Sequence, residues 1–97
     1  LEIEVEAVPL LPGALDYARA GALAAGLKNN RDFAACAVEV TRELPAGLLD
    51  LLYDPQTSGG LLVALPEGDA REFQRRFPRA RCIGHVLERR ERWIRIR

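Results

Sequence analysis

The segment Asp54-Pro55-Gln56-Thr57-Ser58-Gly59-Gly60-Leu61-Leu62 is the most informative stretch of the sequence. Pro55 fixes its own φ and biases Asp54 towards an extended backbone. The carboxylate of Asp54 can accept backbone N–H bonds from Gln56 or Thr57, which would close an Asx-type turn. The residue types therefore predict a tight loop over Tyr53–Gly60.

The second half of this loop combines hydroxyls with glycines. Thr57 and Ser58 offer hydrogen-bond donors, and Gly59 and Gly60 let the backbone approach another group closely. Free N–H groups beside hydroxyls can cradle an anion. The loop is not a Walker A motif, because the lysine and its spacing are missing. A loop whose glycines serve only packing remains the alternative on physical grounds.

Outward from the loop, periodicity and turn residues predict alternating strands and helices. Leu61–Leu65 is apolar throughout, as in a central strand covered on both faces. The other expected elements are a strand over 1–6, a helix over 14–25 with Tyr17 on its buried face, a polar loop over 27–32, a strand over 35–41, a helix over 45–52, a helix capped by Asp69, and two strands over 81–87 and 93–97 joined by a hairpin over 88–92. This order predicts an α+β fold in which layered helices pack on a mixed β-sheet, with residues 1–97 as a single domain.

Composition is that of an ordinary water-soluble domain, with 48% hydrophobic residues, 29% charged residues and a formal net charge of zero. We therefore expect neither a nucleic-acid nor a membrane partner. Ten of the last 29 residues are arginines, and three glutamates lie in the first six residues. No aromatic ladder accompanies the arginines, so the acidic and basic edges are expected to lie side by side or face solvent.

The remaining reactive side chains give no catalytic pattern. Cys36 and Cys82 lie in strand-like segments without a partner at metal-ligand spacing, which predicts buried free thiols in the cytoplasm and no metal site. His85 is expected on a sheet face, and the Arg89-Arg90 pair at a solvated hairpin tip. The chain contains no Met and begins with Leu1, from which we expect a piece of a longer polypeptide.

The segment 54–62 resembles the signature of the C-terminal domain of selenophosphate synthetases, the selenide, water dikinases. Three other segments are similar to that family: the lead-in Leu48–Tyr53, the segment Val8–Ala14 and the late strand around Gly84. The segment ending at Asn30 stands where the family has a Gly-rich loop with an asparagine, but it lacks the family's GGT pattern.

This resemblance implies a C-terminal domain like that of aminoimidazole ribonucleotide synthetase, in an enzyme that makes selenophosphate, AMP and phosphate from ATP, selenide and water with Mg²⁺. The family's reactive cysteine or selenocysteine, its lysine and its magnesium-binding aspartates lie in an N-terminal domain that is absent from these 97 residues. It implies that this piece is inactive alone, binds neither cofactor tightly, and partners its own N-terminal domain in a homodimer.

The candidate site residues form a cleft-facing, phosphate-contacting group, namely Asn30, Asp54, Gln56, Thr57, Ser58, Gly59 and Gly60. No catalytic residue is expected in this piece. Two alternatives stay open, a non-catalytic interaction module and a domain of a sibling ATP-dependent enzyme of the same superfamily.

Overall fold

The described residues form a small four-stranded sheet, and two of the helices share a hydrophobic core with it. A computed structural model describes residues 1–89 and 91–97. The strands are β1 (Glu2–Ile3), β2 (Val38–Val40), β3 (Gly84–His85) and β4 (Ile94–Ile96), and the helices are α1 (Ala14–Arg19), α2 (Leu27–Ala34), α3 (Leu48–Leu52) and α4 (Glu67–Arg76), with a 3₁₀ turn over Val5–Ala7. The predicted α+β class with a mixed sheet is confirmed.

The sheet order is β2-β4-β1-β3. β1 pairs antiparallel with β3 and parallel with β4, and β2 pairs parallel with β4. The predicted hairpin between the last two strands is therefore wrong, because β1 lies between β3 and β4 and takes the backbone hydrogen bonds of both. Arg90, which we expected at the hairpin tip, lies outside the described residues.

The hydrophobic core is centred on Val5, Leu48 and Ile96, which are 1%, 6% and 3% exposed. Partly buried apolar side chains surround them, including Leu15, Val38 and Leu52. Leu48 begins α3 and faces inward as predicted. Ala18 of α1 is also buried, but Tyr17, expected on the same face, is 68% exposed.

Several predicted elements have different bounds in the structure, among them the helix capped by Asp69, which begins at Glu67 instead, and two differences have clear local reasons. α1 ends at Arg19 rather than at residue 25, because Gly21 adopts a φ of +82° that a right-handed helix cannot contain. The stretch predicted as a polar loop over 27–32 is helical in α2. Its first residue, Leu27, is buried, and Lys28 pairs with Asp32 one turn later at 2.6 Å.

Both cysteines are exposed, which corrects the prediction of buried thiols. β2 begins two residues after Cys36, and β3 begins two residues after Cys82, so neither side chain lies within the sheet that was expected to cover it.

The outer face of the sheet carries a network of ion pairs. Arg95 lies 3.7 Å from Glu2 and 3.2 Å from Glu39, and Arg97 lies 2.8 Å from Glu4. His85 of β3 is 4.0 Å from Glu4, on the sheet as expected. The acidic start and basic end of the chain therefore lie side by side, as the charge pattern predicted.

Candidate functional site

The predicted site loop follows α3 and begins at the end of the core. Tyr53, the C-cap of α3, donates its backbone N–H to the carbonyl of Asp50, and Asp54 donates to the carbonyl of Leu51. These bonds close the last turn of α3, and the loop over 54–60 begins directly after it. The predicted Tyr53–Gly60 loop is therefore present.

The helix α2 holds the start of this loop from the side. The side-chain amide of Asn30 donates to the backbone carbonyl of Tyr53 at 2.9 Å. A Cβ placed on Gly26, the N-cap of α2, would lie 3.4 Å from Cγ of Pro55, so the helix start lies against the loop. The structure thus brings Asn30 and the 54–60 loop together, although the segment that carries Asn30 is a helix and not a loop.

Arg31 makes two further contacts beside the loop that were not predicted from the sequence. Its guanidinium lies 2.7 Å from the carboxylate of Asp50 and 5.4 Å from the centre of the Tyr53 ring. Both contacts fix the end of α3 from which the loop leaves. The adjacency of Arg31 to Asn30 was the available signal, but only the helical conformation of α2 turns both residues towards α3.

The turn at Asp54 differs from the predicted one. The Asp54 carboxylate accepts a hydrogen bond from the side-chain amide of Gln56, in place of a backbone N–H of Gln56 or Thr57. Asp54 is half-buried, whereas Gln56 and all later residues of the loop are exposed. The amide of Gln56 therefore satisfies an oxygen of the Asp54 carboxylate, and no backbone N–H of residues 56–60 donates to another backbone group of the described residues.

The tip of the loop is open to solvent. A Cβ on Gly59 would lie 3.3 Å from Cβ of Gln56, whereas a Cβ on Gly60 would meet nothing within 4 Å. Among residues 1–89 and 91–97, no side-chain hydrogen bond engages the hydroxyl of Thr57 or Ser58. The loop thus presents two donors that the rest of the described chain does not use.

The two basic side chains of α2 are already paired. Arg31 is bound to Asp50, and Lys28 of α2 is bound to Asp32, which raises the pKa of the Lys28 amine by hydrogen bonding and charge. Lys28 therefore stays protonated, but its amine is already paired with Asp32 on its own helix.

The described residues form a surface pocket away from the loop and no metal cluster. A surface pocket of about 380 Å³ lies elsewhere, against Trp93 and Arg92. Within the described part of the chain no three His, Cys, Asp or Glu side chains converge as a metal site. The described helices include none long and apolar enough to cross a membrane.

Comparison with curated proteins finds strong similarity over the full chain. The chain is 44% identical to a selenide, water dikinase of Clostridium botulinum strain Eklund 17B over 100% of its residues. It is 36% identical to that of Clostridioides difficile over 99%, and 33% identical to that of Caldanaerobacter subterraneus over 100%. The chain spans about 29% of the length of each of these relatives. No protein-family model and no solved structure matches it.

Proposed function

The chain belongs to the selenide, water dikinase family and corresponds to the C-terminal part of its members; from this premise we propose that it works within a longer enzyme that makes selenophosphate, AMP and phosphate from ATP, selenide and water. The names of the relatives disfavour the alternative of a sibling ATP-dependent enzyme. The proposed enzyme is a cytoplasmic homodimer in which this chain meets its own N-terminal domain.

The catalytic groups and the magnesium ligands of the proposed enzyme lie outside this chain. ATP and Mg²⁺ would therefore be held mainly by the rest of the protein. These 97 residues are proposed to contribute a surface that completes the site, and to be inactive alone.

The loop over 54–60 is the proposed contribution to the site. The observation that carries this assignment is a loop held firmly at its base and open at its tip. Asn30 bonds the carbonyl of Tyr53, while the Thr57 and Ser58 hydroxyls have no partner among the described residues. Their proposed role is to donate hydrogen bonds to phosphate oxygens, with Gly59 and Gly60 allowing close approach.

The location of the loop suits a surface that closes over a charged reactant. A phosphate held against it would leave bulk water, and each hydrogen bond to it would strengthen as water is excluded. Because Arg31 and Lys28 are already paired, the proposed contacts are neutral donors and the backbone, rather than a cationic clamp.

The test uses the full-length enzyme with Thr57→Ala and Ser58→Ala combined, numbered as in this chain. A hydrogen bond to a charged group contributes about 1.5–3 kcal/mol, so losing even one in the transition state should lower turnover about tenfold or more. The measurement is selenide-dependent AMP formation, with thermal unfolding recorded in parallel.

Thr41→Ala is the matched control, because Thr41 carries the one other Ser or Thr hydroxyl in the sequence. That hydroxyl bonds the carbonyl of Ile96 at 3.1 Å, away from the loop. Its loss should affect stability slightly and turnover not at all, and Thr57→Ser should keep most of the activity. A double variant with unchanged turnover would reject the role of the loop.

A further inference from the structure

The apolar segment Leu61–Leu65 is the most exposed hydrophobic stretch of the chain. Leu61, Leu62, Val63 and Leu65 are 95%, 66%, 49% and 38% exposed. The segment belongs to no helix or strand, which corrects the prediction of a central strand there. Among the described residues, no backbone hydrogen bond joins any N–H or carbonyl of this segment.

The described chain offers little to cover this segment. Five residues form its buried core, against fourteen large hydrophobic residues that are exposed. The radius of gyration is 14.3 Å, compared with about 12.5 Å for a compact domain of this length. Contiguous exposed apolar patches of this kind mark surfaces that another structure covers.

The sequence of Leu61–Leu65 indicates which kind of structure would bury this segment. Five consecutive apolar residues, three of them leucines, have no polar side to turn towards water. Such a run is typical of a strand with neighbours along its edges and layers on both faces. Its unbonded backbone can pair with the edge of a sheet, and its side chains would then be buried alternately above and below.

The sheet edges within this chain are too short to be that neighbour. β3 has two residues and β2 has three, so neither matches a five-residue ladder. A second copy of the segment would satisfy one backbone edge but would leave both apolar faces in water. A larger layered structure is needed, and the relatives of the chain are more than three times its length.

We propose that the apolar segment Leu61–Leu65 is a β-strand completed by the part of the longer protein outside these 97 residues, which supplies a sheet edge and apolar cover on both faces. The inference rests on the proposed function only in treating the chain as part of a longer enzyme. Gly59-Gly60 on one side and Pro66 on the other would delimit the strand. The strand would also hold the site loop, which ends where the segment begins, against the rest of the enzyme.

The test compares amide hydrogen exchange of peptides covering residues 61–65 in two proteins. One is the 97-residue chain, and the other is a chimera in which this chain replaces the matching part of the Clostridium botulinum relative. We expect rapid exchange in the isolated chain and exchange slowed about a hundredfold or more in the chimera. Rapid exchange in both proteins would overturn the proposal.

Slow exchange of residues 61–65 already in the isolated chain would also overturn the proposal. Light scattering would then show whether the segment pairs within a monomer or between two copies of the chain. In the chimera, Leu62→Lys should restore fast exchange at residues 61–65. Phe33→Lys is the control, because Phe33 on α2 is 87% exposed and outside the segment. Protection that survives Leu62→Lys unchanged would contradict burial on both faces.

Activity separates this inference from the proposed function. An inactive chimera whose segment is protected would reject the dikinase role of this chain and keep the strand. An active chimera whose segment exchanges freely would keep the dikinase role and reject the strand.

Discussion

Gly47 is the N-cap of α3, at the point where that helix lies against α1, and replacing it with alanine should destabilise the chain more than any other Gly→Ala change in a turn. Its φ is +79°, and a Cβ there would lie 3.1 Å from Cβ of Ala18 and 3.1 Å from the backbone nitrogen of Arg19. Ala18 is buried, so neither neighbour can move aside freely. Gly21 is the matched control, because its φ is +82° but a Cβ there would meet nothing within 4 Å.

The two substitutions share one cost and differ in another. A left-handed conformation costs an alanine about 1–2 kcal/mol, and this applies at both positions. Crowding of a packed contact adds about 1–3 kcal/mol, and this applies at Gly47 alone. Gly21→Ala should therefore cost about 1–2 kcal/mol, and Gly47→Ala about 2–5 kcal/mol. For a chain of this size the difference corresponds to at least about 4 °C in Tm.

Urea unfolding, monitored by circular dichroism, measures the free energy of unfolding of each variant relative to the same parent chain. Equal losses for the two variants would refute the close approach of α1 and α3 at Gly47, since only the backbone cost would then be present. A Gly47→Ala variant as stable as the parent would refute the left-handed turn as well.

Three further predictions follow from the core, the sheet surface and the thiols. Leu48→Ala should lower the free energy of unfolding by about 2–4 kcal/mol in the same urea assay, since it removes one of three central core side chains; a loss below about 1 kcal/mol would contradict its place there. The hydrogen bond from Arg97, and then its charge, lower the pKa of the Glu4 carboxyl. The stabilisation from this pair is therefore present above the ordinary glutamate pKa and is lost as the pH falls through the lowered value. Arg97→Gln should raise the Glu4 midpoint in a carboxyl NMR titration, and an unmoved midpoint would exclude the pair. A thiol reagent should titrate Cys36 and Cys82 rapidly without denaturant, because both are exposed; slow reaction would restore the prediction of buried thiols.

The parts of the fold that the sequence predicted well are those whose local and tertiary signals agree. Leu48–Leu52 has apolar residues at helical spacing, and it is a helix with Leu48 in the core. Glu2 and Glu4 alternate with apolar residues, and their carboxylates lie on the charged sheet face beside Arg95 and Arg97.

The wrong predictions arose where an element depends on partners distant in the chain. The strand pairing could not be derived from the last two strands, because β1, some 80 residues earlier, lies between them. The exposure of Leu61–Leu65 conflicts with its own pattern, since that pattern is typical of a covered strand and the described residues leave the segment exposed.

The candidate site was partly predictable. The loop followed from Pro55 and the glycines, and its contact with Asn30 is present in the structure. The contacts of Arg31 and the helical form of α2 were not predicted, because two neighbouring asparagines favour a loop, whereas the burial of Leu27 that anchors the helix is a tertiary contact.

Selenophosphate formation by the chimera with the Clostridium botulinum relative tests the central claim most directly. The chimera replaces about 29% of that relative with this chain, at 44% identity. Phosphorus NMR would follow the product in the presence of ATP, Mg²⁺ and selenide, and circular dichroism would establish that the chimera is folded. We predict selenide-dependent product at a rate comparable to that of the parent relative. A folded chimera that makes no selenophosphate would contradict the proposal that these 97 residues complete a selenide, water dikinase.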